Sequence, residues 1–159
     1  MFVAFFESIK YVGHLFPIAF LRVFIGYFYL NQAIEKYQSD FLSQPRLADS
    51  IAQGLSPSLS PVWYQDLLQQ IVVPHWQTFS ATLLTTEFVI GLSFLFGYLV
   101  RPVALIAVAL SWFYLSVNPN QEVLFKTFIA IHVTLAWLGA GRCLGFDYYF
   151  YKRNRGIWW

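Results

Sequence analysis

Three ionisable residues stand inside apolar stretches of the chain: Arg22 in FLRVFIG, Glu87 in TTEFVIGL and His132 in AIHVTLA. A charge in apolar surroundings is costly unless it has a partner. We therefore expect Arg22 and Glu87 to contact each other, with His132 hydrogen-bonded to the pair. Glu87 and His132 can exchange protons in such a site, whereas Arg22 binds rather than relays because it keeps its proton.

The composition predicts an integral membrane protein. Of 159 residues, 58% are hydrophobic, 21% aromatic and only 11% charged, whereas soluble domains carry about 25% charged residues. A net charge of +2 without a basic stripe gives no support for a nucleic-acid partner. The single cysteine, Cys143, excludes an intramolecular disulfide and a Cys-x-x-Cys redox motif. No metal site is predicted.

Four segments approach the length of about 20 apolar residues that a membrane-spanning helix needs. The sequence therefore predicts an all-α, four-helix transmembrane bundle that forms one domain over residues 1–159. The predicted spans are residues 14–34, 76–100, 102–118 and 122–141. Pro102 suits the first turn of the third span and Pro119 a position beyond its end. The short connection before Pro102 makes the second and third spans antiparallel neighbours.

The distribution of lysine and arginine predicts the orientation, because cytoplasmic segments are enriched in these residues. One side collects Lys10, Arg101, Arg142, Lys152, Arg153 and Arg155. The other side collects Lys36, Arg46 and Lys126. We therefore expect a bacterial inner-membrane protein with both termini in the cytoplasm and the loop of residues 35–75 outside.

The loop contains a predicted amphipathic helix in SPVWYQDLLQQIVVP. Trp63, Leu67 and Ile71 recur at four-residue spacing, and Pro74 closes the segment. This pattern is typical of a helix that lies on the outer membrane surface. It favours a simple cover over the mouth of the bundle, with a lid or a partner-docking surface as the alternative.

Depth along the spans is the reason for grouping the three ionisable residues. Counted from the predicted span starts, Arg22, Glu87 and His132 lie about eight to eleven residues deep, which places all three near the bilayer centre. Each is followed at i+4 by a small residue that permits close helix packing, namely Gly26, Gly91 and Ala136. The group is either interhelical glue or a site that handles protons or a ligand headgroup, and these interpretations are compatible.

Two weaker patterns concern other residues. Trp112 and Tyr114 in the third span either line a cavity for an aromatic or quinone-like ligand or serve packing alone. Arg101, Arg142 and Asp147 have matching depth and opposite charges. We expect them to cluster at the cytoplasmic face and join the second and fourth spans, with a modest energy of about 0–1 kcal/mol if they are exposed.

The order of several motifs resembles the DoxX/DoxD-like family of small four-helix membrane proteins. These motifs are FLRVFIGYFYLNQAIEK, the WYQDLL…P pattern, TEFVIGLSFLFGYLVRP and the closing GAGRCLGFD. The resemblance covers nearly the whole chain and implies a four-helix bundle. It also implies that five residues match recurrent polar positions of the family: Arg22, Glu87, Arg101, Arg142 and Asp147.

The resemblance implies kinship with the membrane subunit of thiosulfate:quinone oxidoreductase, so the first hypothesis is an oxidoreductase subunit that binds quinone or a lipid-like ligand. Such a subunit needs a protein partner, because one cysteine leaves this chain without an obvious group to oxidise a sulfur substrate. The second hypothesis is a non-enzymatic accessory, scaffold or assembly subunit of a larger membrane complex. The sequence alone does not identify the cofactor.

Overall fold

The computed structural model describes residues 13–55 and 59–153, and these residues form helices and no strand. The helices are α1 (Phe16–Gln38), α2 (Arg46–Gly54), α3 (Val62–Leu67), α4 (Trp76–Phe96), α5 (Val100–Val117), α6 (Glu122–Leu138) and α7 (Asp147–Arg153). A π-helical segment, Leu68–Val72, continues α3. Short 3₁₀ turns occupy Gly13–Leu15, Pro119–Gln121 and Ala140–Arg142. Lys10 and Arg155, used above for the orientation, lie outside the described residues.

Three helices of the described chain are long and apolar enough to cross a membrane: Trp76–Phe96, Val100–Val117 and Pro119–Leu138. The α1 helix is longer, at 23 residues, but it carries Arg22, Glu35 and Lys36 and is not among the three. It continues to Gln38, beyond the end predicted at residue 34. Glu35 and Lys36 are therefore part of the helix.

The long helices alternate in direction. The α4 helix ends at Phe96 and is capped by Gly97, whose φ of 65° is in the left-handed region that favours glycine. α5 begins at Val100, so the predicted second span, which extends to residue 100, is shorter in the structure. We call the end of the bundle that carries residues 39–55 and 59–75 the loop end. The opposite end, where α1 begins and α7 lies, is the terminal end.

Small residues allow α1 and α4 to pack along each other. A Cβ on Gly26 of α1 would lie 2.8 Å from the backbone nitrogen of Leu95 and 3.0 Å from the carbonyl oxygen of Gly91. α5 and α6 form the second extensively packed pair, whereas α1 and α6 make few backbone contacts. The bundle is thus built from two tight helix pairs.

The loop end is covered by two short helices, of which the sequence predicts one. The unpredicted helix, α2, buries Leu47 and Ile51 against a cluster that includes Val117 of α5. Its last residue, Gly54, lies so close to the Val117 carbonyl that any side chain there would clash. The sequence shows no periodic pattern long enough to reveal α2, because the helix has only 9 residues.

The predicted amphipathic helix is present as α3 and its π-helical continuation. Leu68 and Val72 face the bundle and are buried. Trp63, Leu67 and Ile71, the predicted apolar stripe, are exposed on the other side. That exposed stripe is free to contact a membrane surface.

Replacing Gly26 with leucine should destabilise the protein. The added side chain meets the α4 backbone, which cannot move aside as a flexible side chain does, and overpacking costs about 1–3 kcal/mol. Thermal unfolding in detergent, followed by tryptophan fluorescence, measures the effect. Ala130→Leu is the matched control, because Ala130 is exposed on α6. Equal melting temperatures for the two variants would contradict the close α1–α4 packing.

Candidate functional site

A cavity of about 400 Å³ lies at the loop end of the bundle. Its walls come from α1, the segment after α1, α2, α4, α5 and α6. We call it the loop-end cavity, and its lining residues are Phe28, Tyr29, Gln32, Lys36, Phe41, Leu47, Ser50, Glu87, Phe113, Tyr114, Val117, Asn118, Gln121, Leu124, Phe125 and Phe128. This volume falls within the usual range of small-molecule sites.

Three polar side chains of the cavity wall bind one another. The Lys36 ammonium forms an ion pair with Oε1 of Glu87. It also donates to the Tyr114 hydroxyl at 2.6 Å. Tyr114 in turn donates to Glu87 Oε1 at 2.5 Å. We call Lys36, Glu87 and Tyr114 the cavity triad.

The triad forms because helical side chains lean toward the N-terminus of their own helix. Lys36 stands near the loop end of α1 and leans back toward the middle of the bundle. Glu87 stands in the middle of the antiparallel α4 and leans toward the loop end. The two charged groups therefore meet, although the backbone positions of Lys36 and Glu87 differ in height along the bundle axis.

The charges of the triad are largely removed from solvent. The Glu87 side chain is 2% exposed and that of Lys36 is 19% exposed. Only one carboxylate oxygen is used, because Oε2 of Glu87 is buried without a hydrogen-bond partner. A buried acceptor without a donor is uncommon and costs free energy.

The predicted contact between Arg22 and Glu87 is wrong. Arg22 donates instead to backbone carbonyls at the terminal end, which belong to Ala140 at 2.7 Å, Cys143 at 3.1 Å and Leu144 at 2.8 Å. Counting depth misled the prediction, because α1 and α4 run antiparallel and the two side chains lean in opposite directions. Gly97 lies beside the Arg22 guanidinium, and Glu87 is ten residues earlier, about 15 Å along the helix axis.

His132 is not part of the triad. Its predicted hydrogen bond to an Arg22–Glu87 pair is also absent. Its Nδ1 is 3.1 Å from the Ser111 hydroxyl, and its Nε2 is buried without a partner. Ser111 also lies 3.4 Å from the hydroxyl of Tyr29, which lines the cavity. The rings of Tyr29, Phe94 and Phe128 surround the imidazole.

Of the two aromatic residues predicted to line a cavity, only Tyr114 does so. Trp112 is 46% exposed on the outer surface of α5. Two residues along a helix correspond to a rotation of about 200°, so the side chains of Trp112 and Tyr114 point to nearly opposite faces. Trp112 is therefore not part of the cavity wall.

The terminal end carries a second polar centre around Asp147. Its carboxylate accepts from the backbone N–H groups of Leu99 at 2.7 Å and Val100 at 3.1 Å, at the start of α5. The backbone N–H of Asp147 donates to the Gly97 carbonyl at 2.9 Å, at the end of α4. Asp147 thus holds the α4–α5 turn against the C-terminal segment.

Asp147 is only 1% exposed, which differs from the expectation of an exposed cluster. Burial raises the pKa of its carboxyl group, and the N–H groups of Val100 and Leu99 and the charges of Arg22 and Arg101 oppose that rise. Arg101 lies against Gly139, and the Arg142 guanidinium lies 4.2 Å from the centre of the Tyr151 ring.

Sequence reasoning missed Lys36, the cationic member of the triad. The signal is nevertheless present, because the buried face of α1 recurs at Arg22, Gly26, Tyr29 and Ala33. These positions alternate by four and three residues, and the next position of the series is Lys36. A charged residue on that stripe predicts a buried partner.

Comparison with known proteins adds no relative: no family model, no curated protein and no solved structure matches this chain. The function is therefore proposed from the site and from the motif order of the sequence.

Replacing Asp147 with alanine should destabilise the fold by about 2–4 kcal/mol, because two backbone N–H groups at the start of α5 lose their acceptor. Chemical or thermal unfolding in detergent measures the loss. Asp66→Ala is the control, since Asp66 is exposed on α3 and should change stability by less than about 0.5 kcal/mol. If both variants are equally stable, Asp147 does not hold the turn.

Proposed function

We propose that this chain is the membrane subunit of a quinone-linked oxidoreductase of the DoxX/DoxD-like type, and that it binds a quinone in the loop-end cavity. The observation that carries the proposal is the cavity itself, in which a buried Lys36–Glu87–Tyr114 triad faces aromatic walls. Motif order in the sequence supports the family, and the geometry supports the ligand.

The cavity lining suits a flat ring with polar substituents. Phe28, Phe113, Phe125 and Phe128 supply aromatic surfaces, and aromatic rings stack favourably at centroid separations of about 4.5–7 Å. Lys36 supplies a hydrogen-bond donor to a ring oxygen, and Gln32 and Asn118 add polar groups nearby. Apolar walls with a few placed polar groups are the usual composition of a small-molecule site.

The helix arrangement supports access for a ligand dissolved in the membrane. The α1 and α6 helices make few backbone contacts, and both contribute to the cavity wall. Phe28 of α1 and Phe128 of α6 meet with ring centroids 5.0 Å apart. The cavity lies on the loop-end side of this aromatic contact, between the two helices.

Electrons for the quinone must come from a partner protein in this proposal. The single cysteine, Cys143, is fully buried at the terminal end, and burial raises the pKa of its thiol, which disfavours the reactive thiolate. Reduction of a quinone consumes two electrons and two protons. Glu87, Lys36 and Tyr114 place exchangeable protons beside the ligand, while the partner supplies the electrons.

The proposal includes a fourth span, formed by α1, and an inner-membrane location with both termini in the cytoplasm. α1 has the length to cross, and its two most polar features are internally bonded, since Arg22 and Lys36 both have partners inside the bundle. Lys152 and Arg153 stand at the terminal end, where the cytoplasmic excess of basic residues is expected.

A non-enzymatic scaffold is the alternative, and the outer face of α1 favours it. Phe16, Phe20, Phe24 and Tyr27 form an exposed aromatic stripe at helical spacing. Such a stripe contacts either lipid or another subunit. In a scaffold, the loop-end cavity holds no redox ligand and the protein remains in a large complex after mild solubilisation.

Quinone should co-purify with the protein from bacterial membranes, and the variants Lys36→Met and Tyr114→Phe should each lose it at least about tenfold. Lys36→Met removes the donor to the ring oxygen, a contact worth about 1–3 kcal/mol. Tyr114→Phe removes the hydroxyl that accepts from Lys36 and holds its ammonium group in position. Tyr114→Phe leaves the Lys36–Glu87 ion pair in place and so preserves the fold. Solvent extraction and chromatography measure quinone per protein, with the exposed Lys126→Met as control.

Quinone retained equally by all variants would place the ligand outside the loop-end cavity. A wild-type protein without quinone, but stably held in a large complex, would favour the scaffold.

Single added cysteines should report the orientation. Gln53→Cys, on the exposed side of α2, should react with an impermeant thiol reagent on intact spheroplasts. Arg153→Cys, on the exposed part of α7, should react only after permeabilisation. Native Cys143 gives little background because it is fully buried. Labelling of both positions from outside would rule out the three spans, α4, α5 and α6, that the proposal places between them.

A further inference from the structure

The cavity triad has a definite set of unused hydrogen-bonding groups. Tyr114 is satisfied, because its hydroxyl donates to Glu87 and accepts from Lys36. Lys36 carries three N–H donors, and two of them serve Glu87 and Tyr114. One carboxylate oxygen of Glu87, Oε2, has no partner. Glu87 and Lys36 both line the loop-end cavity, so Oε2 and the third Lys36 N–H are the acceptor and the donor left for a ligand there.

We propose that the ligand completing this set carries a hydroxyl group, which donates to Glu87 Oε2 and accepts from the remaining N–H of Lys36. This inference rests on the proposed function and specifies it: the loop-end cavity prefers the reduced, hydroxyl-bearing hydroquinone to the oxidised quinone. The aromatic walls described above select a hydroxyl on a flat ring over an aliphatic alcohol.

A quinone satisfies the triad less completely, because its carbonyl oxygens accept hydrogen bonds and cannot donate. It can take the Lys36 donor, but it leaves Glu87 Oε2 buried without a partner. A hydrogen bond to a charged group is worth about tenfold or more in affinity. Ligand selection by the group that leaves no buried polar atom unpaired is a strong form of discrimination.

The preference has a consequence for electron transfer. A site that binds the reduced form more tightly makes the bound quinone easier to reduce, by thermodynamic linkage. Each tenfold difference in affinity raises the two-electron reduction potential by about 30 mV. The triad thus favours electron transfer from the partner protein to the bound quinone.

Calorimetric titration of the purified protein under anaerobic conditions tests the inference with three probes of one ring. They are duroquinone, its reduced form durohydroquinone, and the dimethyl ether of durohydroquinone, which keeps the oxygens but has no O–H group. We expect durohydroquinone to bind at least about tenfold more tightly than either of the others.

The Glu87→Gln variant should reverse this preference. Its amide carbonyl takes the place of Oε1, since Lys36 and Tyr114 both donate there, and its NH₂ group then stands at the Oε2 position as a donor. Glu122→Gln is the matched control, because Glu122 forms an exposed ion pair with Lys126 on α6. It should keep the wild-type preference.

The outcomes separate this inference from the proposed function. Equal affinities for the three probes, all weakened by Lys36→Met, would overturn the hydroxyl preference and leave quinone binding in the cavity intact. If none of the three probes binds, both the hydroxyl preference and the proposed quinone site are overturned. If Glu87→Gln does not fold, the three-probe series on the wild-type protein decides the question alone.

Discussion

The arrangement of the whole bundle depends on one constraint: each charge inside it must find a partner, and a helical side chain leans toward the N-terminus of its own helix. In α1 this constraint sends Arg22 to the carbonyls of the terminal end and Lys36 to Glu87. One helix therefore fastens two polar centres about 20 Å apart along its axis. The Lys36–Glu87 pair joins α1 to α4, and Arg22 joins α1 to the segment after α6.

The two centres differ in chemistry because they differ in the type of partner. At the terminal end, Arg22 and Asp147 bind backbone groups, which cannot be exchanged for a ligand without undoing the turns they hold. At the loop end, Lys36, Glu87 and Tyr114 bind one another through side chains, beside open space. The terminal end thus stabilises the fold, and the loop end remains available for binding.

Hydropathy and turn residues were enough to predict the all-helical character, the long apolar helices and the turn after α4, because these depend on local sequence. The partners of the buried charges were not predictable from depth alone. Arg22 and Glu87 occupy similar counted depths, yet antiparallel packing and opposite side-chain lean separate them. The α2 helix was missed for a related reason. Leu47 and Ile51 can be recognised as core residues only in the folded structure, where they pack with Val117.

The cavity triad also bears on whether a buried polar group is glue or a binding site. An ion pair that serves only to fix helix register stabilises the fold most when every polar atom in it is hydrogen-bonded. A partly satisfied network is less stable than an apolar contact of the same shape. Glu87 departs from that pattern, with two donors on Oε1 and none on Oε2. Together with the adjoining cavity, this asymmetry is typical of a site that a ligand completes.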